Sequence, residues 1–489
     1  MSLRSHCHRV VILAAVLAAA GGVVCSPATD AAGAPAAGAG AAGAPPDMFR
    51  TGFVEGPWPS AAIANTWMGR TAGLGAQVVL LAVDWAGIAP VQPAPGTAAD
   101  PANPDYSWGP LDANVRAAAA DGLTVALTVA GAAGGPAWAD GPNRPPSAAP
   151  GTWKPNPAAL GAFATALARR YSGTFNPGTG ILPHVRYYQG WSEPNLPNHL
   201  TPQWVRVRGH WVAESPTIYR GLLNAFYAGV KSINRSDVVI TGGTAPFGDP
   251  PGGQRVPPAL FVRDLLCLNG RLVPQRCADP AHFDILAHHP YELGGPYQKA
   301  YDADDVSLPD LAKLTRPLAV AERTGRALPR GHKQVWVTEF SWDSKPPDPE
   351  AVPIATLARW IPETFYELWS EGVDTICWFL IEDQRPIPNY ASTYQSGMYY
   401  DTGRLKPDWK AFQFPFLVLT RGSGHAVVWG ITPVAGTVLV QRRVAGRWTT
   451  VISFRRRAHT IFTRTIGLAS RLLMRAVVGG ETSMSWQPS

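Results

Sequence analysis

The 489-residue sequence predicts an α/β fold: a closed (β/α)8 TIM barrel followed by a small C-terminal antiparallel β-sandwich module. Three observations carry this expectation. Eight short runs rich in β-branched and aromatic residues alternate with longer amphipathic stretches. Those units occupy about 335 residues, within the barrel range of roughly 200 to over 400. From Val427 onward the pattern changes to an apolar–polar alternation of period two.

The runs cover 49–55, 77–85, 123–130, 185–191, 238–243, 283–289, 334–340 and 375–381. Helical patterns between them include 111–121, 157–171, 216–234, 308–325 and 353–371. Strands alternating with helices imply a parallel sheet. An open, doubly wound sheet usually carries a glycine-rich phosphate turn after its first strand, and residues 49–57 contain none. The tail alternates over 437–443 and 447–454, with turns at Ala445-Gly446 and Gly479-Gly480, as in a small sandwich.

The N-terminus has its own signature. Arg4, His8 and Arg9 precede an apolar run over 10–20, and small residues follow to Ser26. This reads as a secretory signal peptide over 1–26, too short to span a bilayer, and predicts an extracellular or cell-surface protein. Val24 before Cys25 argues against a lipid anchor. Residues 27–46 are almost all Ala, Gly and Pro and read as a linker. The barrel is expected over 47–420 and the β module over 421–489. In an oxidising compartment, Cys267 and Cys277, flanking the turn-forming Asn269-Gly270, are expected to form a disulfide. Cys377, in an apolar run, is expected to be a buried free thiol.

Composition limits the rest. At 46% hydrophobic the chain can build a core, and 16% charged residues with 48 prolines exclude a coiled coil or long helical rod. Tryptophan (18) outnumbers phenylalanine (16) and tyrosine (14), which suggests a ligand that stacks on flat rings. The net charge of +7 suggests an anionic partner. Yet residues 421–489 hold ten arginines and one acidic residue, Glu481, so the positive charge belongs to the tail.

Barrel enzymes place functional side chains at the C-terminal ends of strands. The fourth run ends Trp191-Ser192-Glu193-Pro194-Asn195, and the seventh ends Trp336-Val337-Thr338-Glu339-Phe340-Ser341-Trp342. Glu193 and Glu339 would then converge across the barrel mouth. The sixth run ends His288-His289-Pro290-Tyr291, and the eighth contains Trp378. The His pair lacks a third ligand at suitable spacing, so no metal is expected, and no cofactor motif is present.

With these motifs the chain resembles the clan of retaining glycoside hydrolases whose catalytic glutamates lie on strands four and seven. Members include endoglucanases, β-xylosidases, α-L-iduronidases and arabinofuranosidases. The Trp-x-Glu-Pro-Asn and His-Pro-Tyr strings are most like the β-xylosidase/α-L-iduronidase branch, with the cellulase-like branch beside it. The resemblance implies a (β/α)8 catalytic domain, Glu193 as general acid/base and Glu339 as nucleophile. It further implies that Tyr291 hydrogen-bonds the nucleophile, that His289 lines the sugar site and that Trp378 forms its stacking floor. Trp85, Trp138 and Trp342 are candidate subsite walls; packing is the alternative for each.

One departure stands out: the clan's usual Asn before the acid/base is Ser192 here, with Asn195 as a candidate substitute for the sugar 2-hydroxyl contact. The expected function is hydrolysis of β-linked or related glycosidic bonds in polysaccharides or oligosaccharides by double displacement. The alternatives are a barrel that binds glycan without cleaving it, and attachment to an acidic cell-surface polymer through the arginine-rich tail. No nucleic-acid partner or membrane span is expected.

Overall fold

The computed structural model describes residues 45–46, 48–129, 134–292, 294–421, 424–467 and 472–488. The expected signal peptide, and the linker apart from Pro45 and Pro46, lie outside the described residues.

Eight strands form the barrel: β1 (Arg50–Glu55), β2 (Val78–Val83), β3 (Thr124–Val129), β4 (Tyr187–Gly190), β5 (Val238–Thr241), β6 (Ile285–His288), β7 (Gln334–Phe340) and β8 (Val373–Phe379). The sheet closes in the order β1-β8-β7-β6-β5-β4-β3-β2, and the neighbours pair in parallel. The expected architecture is therefore present. β2, with sequence VVLLAV, is buried at every position, as a strand sandwiched between barrel interior and helix layer must be.

The main helices are α1 (Ala61–Gly73), α2 (Gly109–Ala120), α3 (Pro157–Arg170), α4 (Ser215–Ile233), α5 (Pro258–Leu265), α6 (Ala312–Thr324) and α7 (Ile354–Ser370). Local chemistry explains where they start. The Asn156 side chain caps α3 by accepting from Ala158 N and Ala159 N, with Pro157 in the first turn. α4 buries Tyr219, Leu222, Leu223, Phe226 and Val230, a stripe at helical spacing. It approaches α3 so closely that a Cβ on Gly229 would stand 2.4 Å from Gly161 O, so only glycine fits.

Side-chain parity divides the barrel into two cores. Val54, Leu80, Ala126, Ile240, Ala287, Trp336, Cys377 and Phe379 belong to the interior cluster. Their strand neighbours, such as Phe53, Leu81, Leu127 and Trp378, pack outward with the helices. Arg50 lies over Trp336 (4.9 Å) and Tyr187 (5.3 Å) towards the N-terminal end. Cys377 is buried and free, as expected.

One irregularity positions the site. Between β7 and β8, Val337 faces Ile376 but Phe340 faces Trp378, so one extra residue of β7 is inserted. Such a bulge re-aims a side chain. Trp336 points inward and Val337 outward, and Phe340 again joins the outer cluster. Thr338 and Glu339 are thus both presented at the mouth.

The tail is a two-sheet module. One sheet contains β9 (Phe416–Thr420), β10 (His425–Ile431) and β13 (Ile461–Gly467); the other runs β12 (Arg447–Arg456), β11 (Gly436–Val444), β14 (Met474–Val478), β15 (Glu481–Thr482). Its antiparallel pairing begins at Phe416, ahead of the expected boundary at 421, because Phe416 pairs with Gly430. The module sits on α7, where Trp429 lies 5.7 Å from Tyr366 and 5.9 Å from Trp369. Cys267 and Cys277 are disulfide-bonded, and the Asn269 side chain shapes their loop by accepting from Arg271 N and Val273 N. Among the described residues no helix is long and apolar enough to cross a membrane.

Candidate active site

At the C-terminal mouth, a hydrogen-bonded chain runs from the barrel interior to a carboxylate. The Gln189 amide on β4 donates to Thr241 O (3.0 Å) and to Thr338 Oγ1 (3.1 Å). Thr338 Oγ1 lies 3.0 Å from His289 Nε2, and His289 Nδ1 lies 3.0 Å from Glu193 Oε1. Thr338 Oγ1 and Glu193 Oε1 thus bracket the two ring nitrogens, and the tautomer decides which of them receives the imidazole proton. With the Thr338 hydroxyl donating to Nε2, the proton sits on Nδ1 and faces Glu193.

His289 has this seat because Gly243 leaves it. A Cβ there would lie 2.2 Å from His289 Nε2 and 2.9 Å from Thr338 Oγ1. The same glycine's carbonyl accepts the Glu193 backbone N–H at 2.9 Å. Trp191 (φ 85°) and Glu193 (φ 43°) both occupy the left-handed region, a conformation costing about 1–3 kcal/mol per residue. Trp191 is fastened by its indole N–H to His199 O at 3.2 Å.

Glu339 faces the same space. Its Oε1 accepts the Tyr291 hydroxyl at 3.0 Å, and its Oε2 lies 4.0 Å from His289 Nδ1. Ligand atoms of Glu193, His289 and Glu339 all lie within 4.8 Å of one another. Glu193 and Glu339 are 3% and 4% exposed.

Burial raises the proton affinity of both carboxyls towards neutrality. It is the largest cause for each, and at Glu339 the charge of Glu193 adds to it. Opposing it are His199 at Glu193, and His289 and the Tyr291 hydroxyl at Glu339. Two desolvated carboxyls this close cannot both ionise cheaply, so the pair holds a shared proton near neutrality. Three groups of this kind would also suit a cation, but the protonated pair and the Nδ1–H donor favour proton chemistry.

The structure brings Glu193, Glu339, His289 and Tyr291 together. Ser192, partly exposed, adjoins Glu193. Trp138 is also partly exposed, with its N–H spent on Ala89 O at 2.8 Å. The other expected ligands are elsewhere. Trp378 shares the outward parity of Ile376, is 1% exposed and donates to Ser396 O at 2.7 Å; it offers no face to a sugar. Phe379, one residue on, takes the interior position beneath Tyr394, at 5.1 Å.

Trp85 is fully covered, packed on Phe163 and edge-on to Trp138. Trp342 is wedged between Phe340 (4.6 Å) and Trp360 (5.0 Å). Asn195 spends its amide on Ala245 O, Val256 O and Ala245 N; it joins two loops and cannot replace the missing Asn. Much of the tryptophan excess is therefore packing.

The sequence reading missed His199, whose Nε2 lies 3.8 Å from Glu193 Oε2. It comes from the loop after β4, outside any strand-end motif. Gln189 and Thr338, which orient His289, were also missed; their inward parity was the available signal.

Together the fold and site define a (β/α)8 barrel with a buried carboxylate pair at its C-terminal mouth. Known structures with which the chain shares this fold are glycoside hydrolases. One is a family 39 glycoside hydrolase from the gut symbiont Bacteroides cellulosilyticus WH2, 15% identical, with a TM-score of 0.53 over 86% of this chain and 81% of that one. Another is a glucosidase from Croceicoccus marinus, 14% identical, with a TM-score of 0.49 over 86% and 94% of the respective chains. At 15% identity the likeness to the family 39 enzyme establishes the fold alone. No family model matches the sequence, and no curated protein matches it.

Proposed function

We propose that the protein is a secreted retaining O-glycosidase, with Glu339 as nucleophile and Glu193 as acid/base, acting on β-linked or related bonds in polysaccharides or their oligomers. The observation that carries this reading is the approach of the two carboxyls, with ligand oxygens within 4.8 Å of each other. Retaining enzymes hold their carboxyl groups roughly 5–5.5 Å apart, whereas inverting ones need about 6.5–9.5 Å to admit a water.

In the first step the Glu339 carboxylate attacks the anomeric carbon and Glu193 gives its proton to the departing oxygen. The products are a glycosyl ester on Glu339 and a free alcohol. In the second step Glu193, now ionised, takes a proton from water as its oxygen attacks the same carbon; Glu339 leaves as carboxylate. The shared proton supplies the required starting state, and esterification of Glu339 removes the negative charge opposite Glu193. The disulfide supports export, since such bonds persist in oxidising compartments.

The test is hydrolysis of a panel of aryl glycosides and polysaccharides, with the first-released anomer followed by NMR. Turnover with net retention is expected. Turnover with inversion would overturn the two-step route. Binding without turnover would reduce the barrel to a glycan-binding one, the reading that Ser192 favours.

A further inference from the structure

We propose that the outer face of the four-stranded tail sheet binds a carboxylate-bearing polysaccharide, a polyuronate, through a platform built from Arg443, Trp448 and Arg475. The choice of a glycan as partner rests on the glycosidase reading; the anion-binding character rests on the module alone. The tail's ten arginines face one acidic residue in its sequence, and that residue, Glu481, is engaged by Lys410 outside the two sheets at 2.8 Å. Among the described residues no arginine of the module makes an ion pair with a carboxylate.

Four of them lie over rings instead, Arg443 and Arg475 at Trp448 and Arg456 and Arg464 at Phe454. Strand pairing sets Arg443 opposite Trp448 and Gln441 opposite Arg475, while Val440, Met474 and Ala476 are buried on the inner face. Arg475 lies 4.3 Å over the Trp448 ring and Arg443 lies 6.0 Å from it. Each Nε is also held: Arg475 donates to Gln441 Oε1 at 2.9 Å, and Arg443 to Gly446 O at 3.4 Å.

Stacking and the 2.9 Å Nε bond hold the Arg475 guanidinium with Arg443 beside it, and among the described residues no hydrogen bond takes up the terminal amino groups of either. That geometry suits the planar, bidentate recognition of a carboxylate. The rest of the chain carries no positive surplus, so a polyanion is drawn to the module and not to the barrel mouth. The module would hold the enzyme on an acidic matrix while the barrel acts on a glycan beside it.

Affinity electrophoresis of the full chain in gels containing polygalacturonic acid, a neutral glucan or double-stranded DNA tests this. At about 50 mM salt, retardation by polygalacturonate and none by the glucan is expected, with loss of retardation at high salt. Arg443→Gln/Arg475→Gln should weaken binding at least about tenfold, the scale of a lost charge-assisted contact. Arg443→Lys/Arg475→Lys should fall between, because charge remains and the fork does not; it decides the matter if the Gln pair unfolds. No retardation of the wild type, equal retardation of both variants, or equally strong retardation by DNA would overturn the proposal. Glu339→Gln should bind polygalacturonate unchanged, so a barrel that hydrolyses nothing would leave this inference standing while the functional reading falls.

Discussion

Glu193 lies between two imidazoles: His289 Nδ1 is 3.0 Å from one carboxyl oxygen and His199 Nε2 is 3.8 Å from the other. The first is locked by Thr338 and Gln189. The second lies on the loop to which Trp191 is fastened. The proposed acid/base role requires Glu193 to be protonated in one step and ionised in the next, and of the two neighbours His199 works against the burial that favours the protonated form.

His199→Gln should therefore move the pH profile. His199 lowers the proton affinity of Glu193 against the dominant effect of burial. Its removal lets that affinity rise, so the alkaline limb of kcat/KM should shift upward by roughly 0.5–1 pH unit. Steps that need ionised Glu193 should slow near neutrality. An unchanged or downward-shifted limb would mean that His199 serves only packing.

Glu339→Gln should abolish turnover by at least about 10⁴-fold, the scale on which lost triad residues act in other enzymes. It should also stabilise the fold. A carboxyl whose proton affinity is raised in the native state opposes folding increasingly as pH climbs from the ordinary carboxylate range to neutrality. The gain in Tm should accordingly be larger at pH 8 than at pH 5. A loss of stability at pH 8 would contradict the desolvated-pair account.

Gly243→Ala should damage the site more than the fold. Its Cβ would meet His289 Nε2 at 2.2 Å, and the imidazole must leave its bond to Thr338. A loss of at least about 10²-fold in kcat is expected, the scale of a displaced catalytic group, with about 1–3 kcal/mol of stability. Gly221→Ala is the control: it lies within α4, where a Cβ meets only Pro157 Cγ at 3.7 Å. It should leave activity intact and stabilise by about 0.5–1 kcal/mol.

Trp378→Phe separates packing from substrate contact. The indole is covered and its N–H is bound to Ser396 O. The substitution should cost about 1–3 kcal/mol in unfolding experiments, from lost volume and an unpaired carbonyl, with KM unchanged. A raised KM at intact stability would return Trp378 to the sugar site.

The barrel itself was legible because its strands are largely buried on both faces, so that β2 (VVLLAV), β3 (TVALTV) and β5 (VVIT) appear as apolar, largely β-branched runs. The two glutamates were legible from the strings around them. The orientations were harder, since a period of two decides them and one inserted residue reverses it. Trp378 and Phe379 exchange roles by parity alone. Glu339 reaches the mouth through a bulge that leaves no mark in Trp-Val-Thr-Glu-Phe. Asn195 looked like a sugar ligand because its two loops, joined only in three dimensions, could not be seen to need its amide. His199 returns to Glu193 through successive turns, Leu196 N to Glu193 O and His199 N to Leu196 O, which no strand-end motif marks.

The most direct test of the central claim is mass spectrometry of the protein incubated with an activated 2-deoxy-2-fluoro glycoside of whichever sugar it hydrolyses. A single glycosyl adduct that maps to the peptide containing Glu339, with inactivation in step with labelling, is the predicted result. Labelling of a different residue, or hydrolysis with inversion and no adduct, would contradict it.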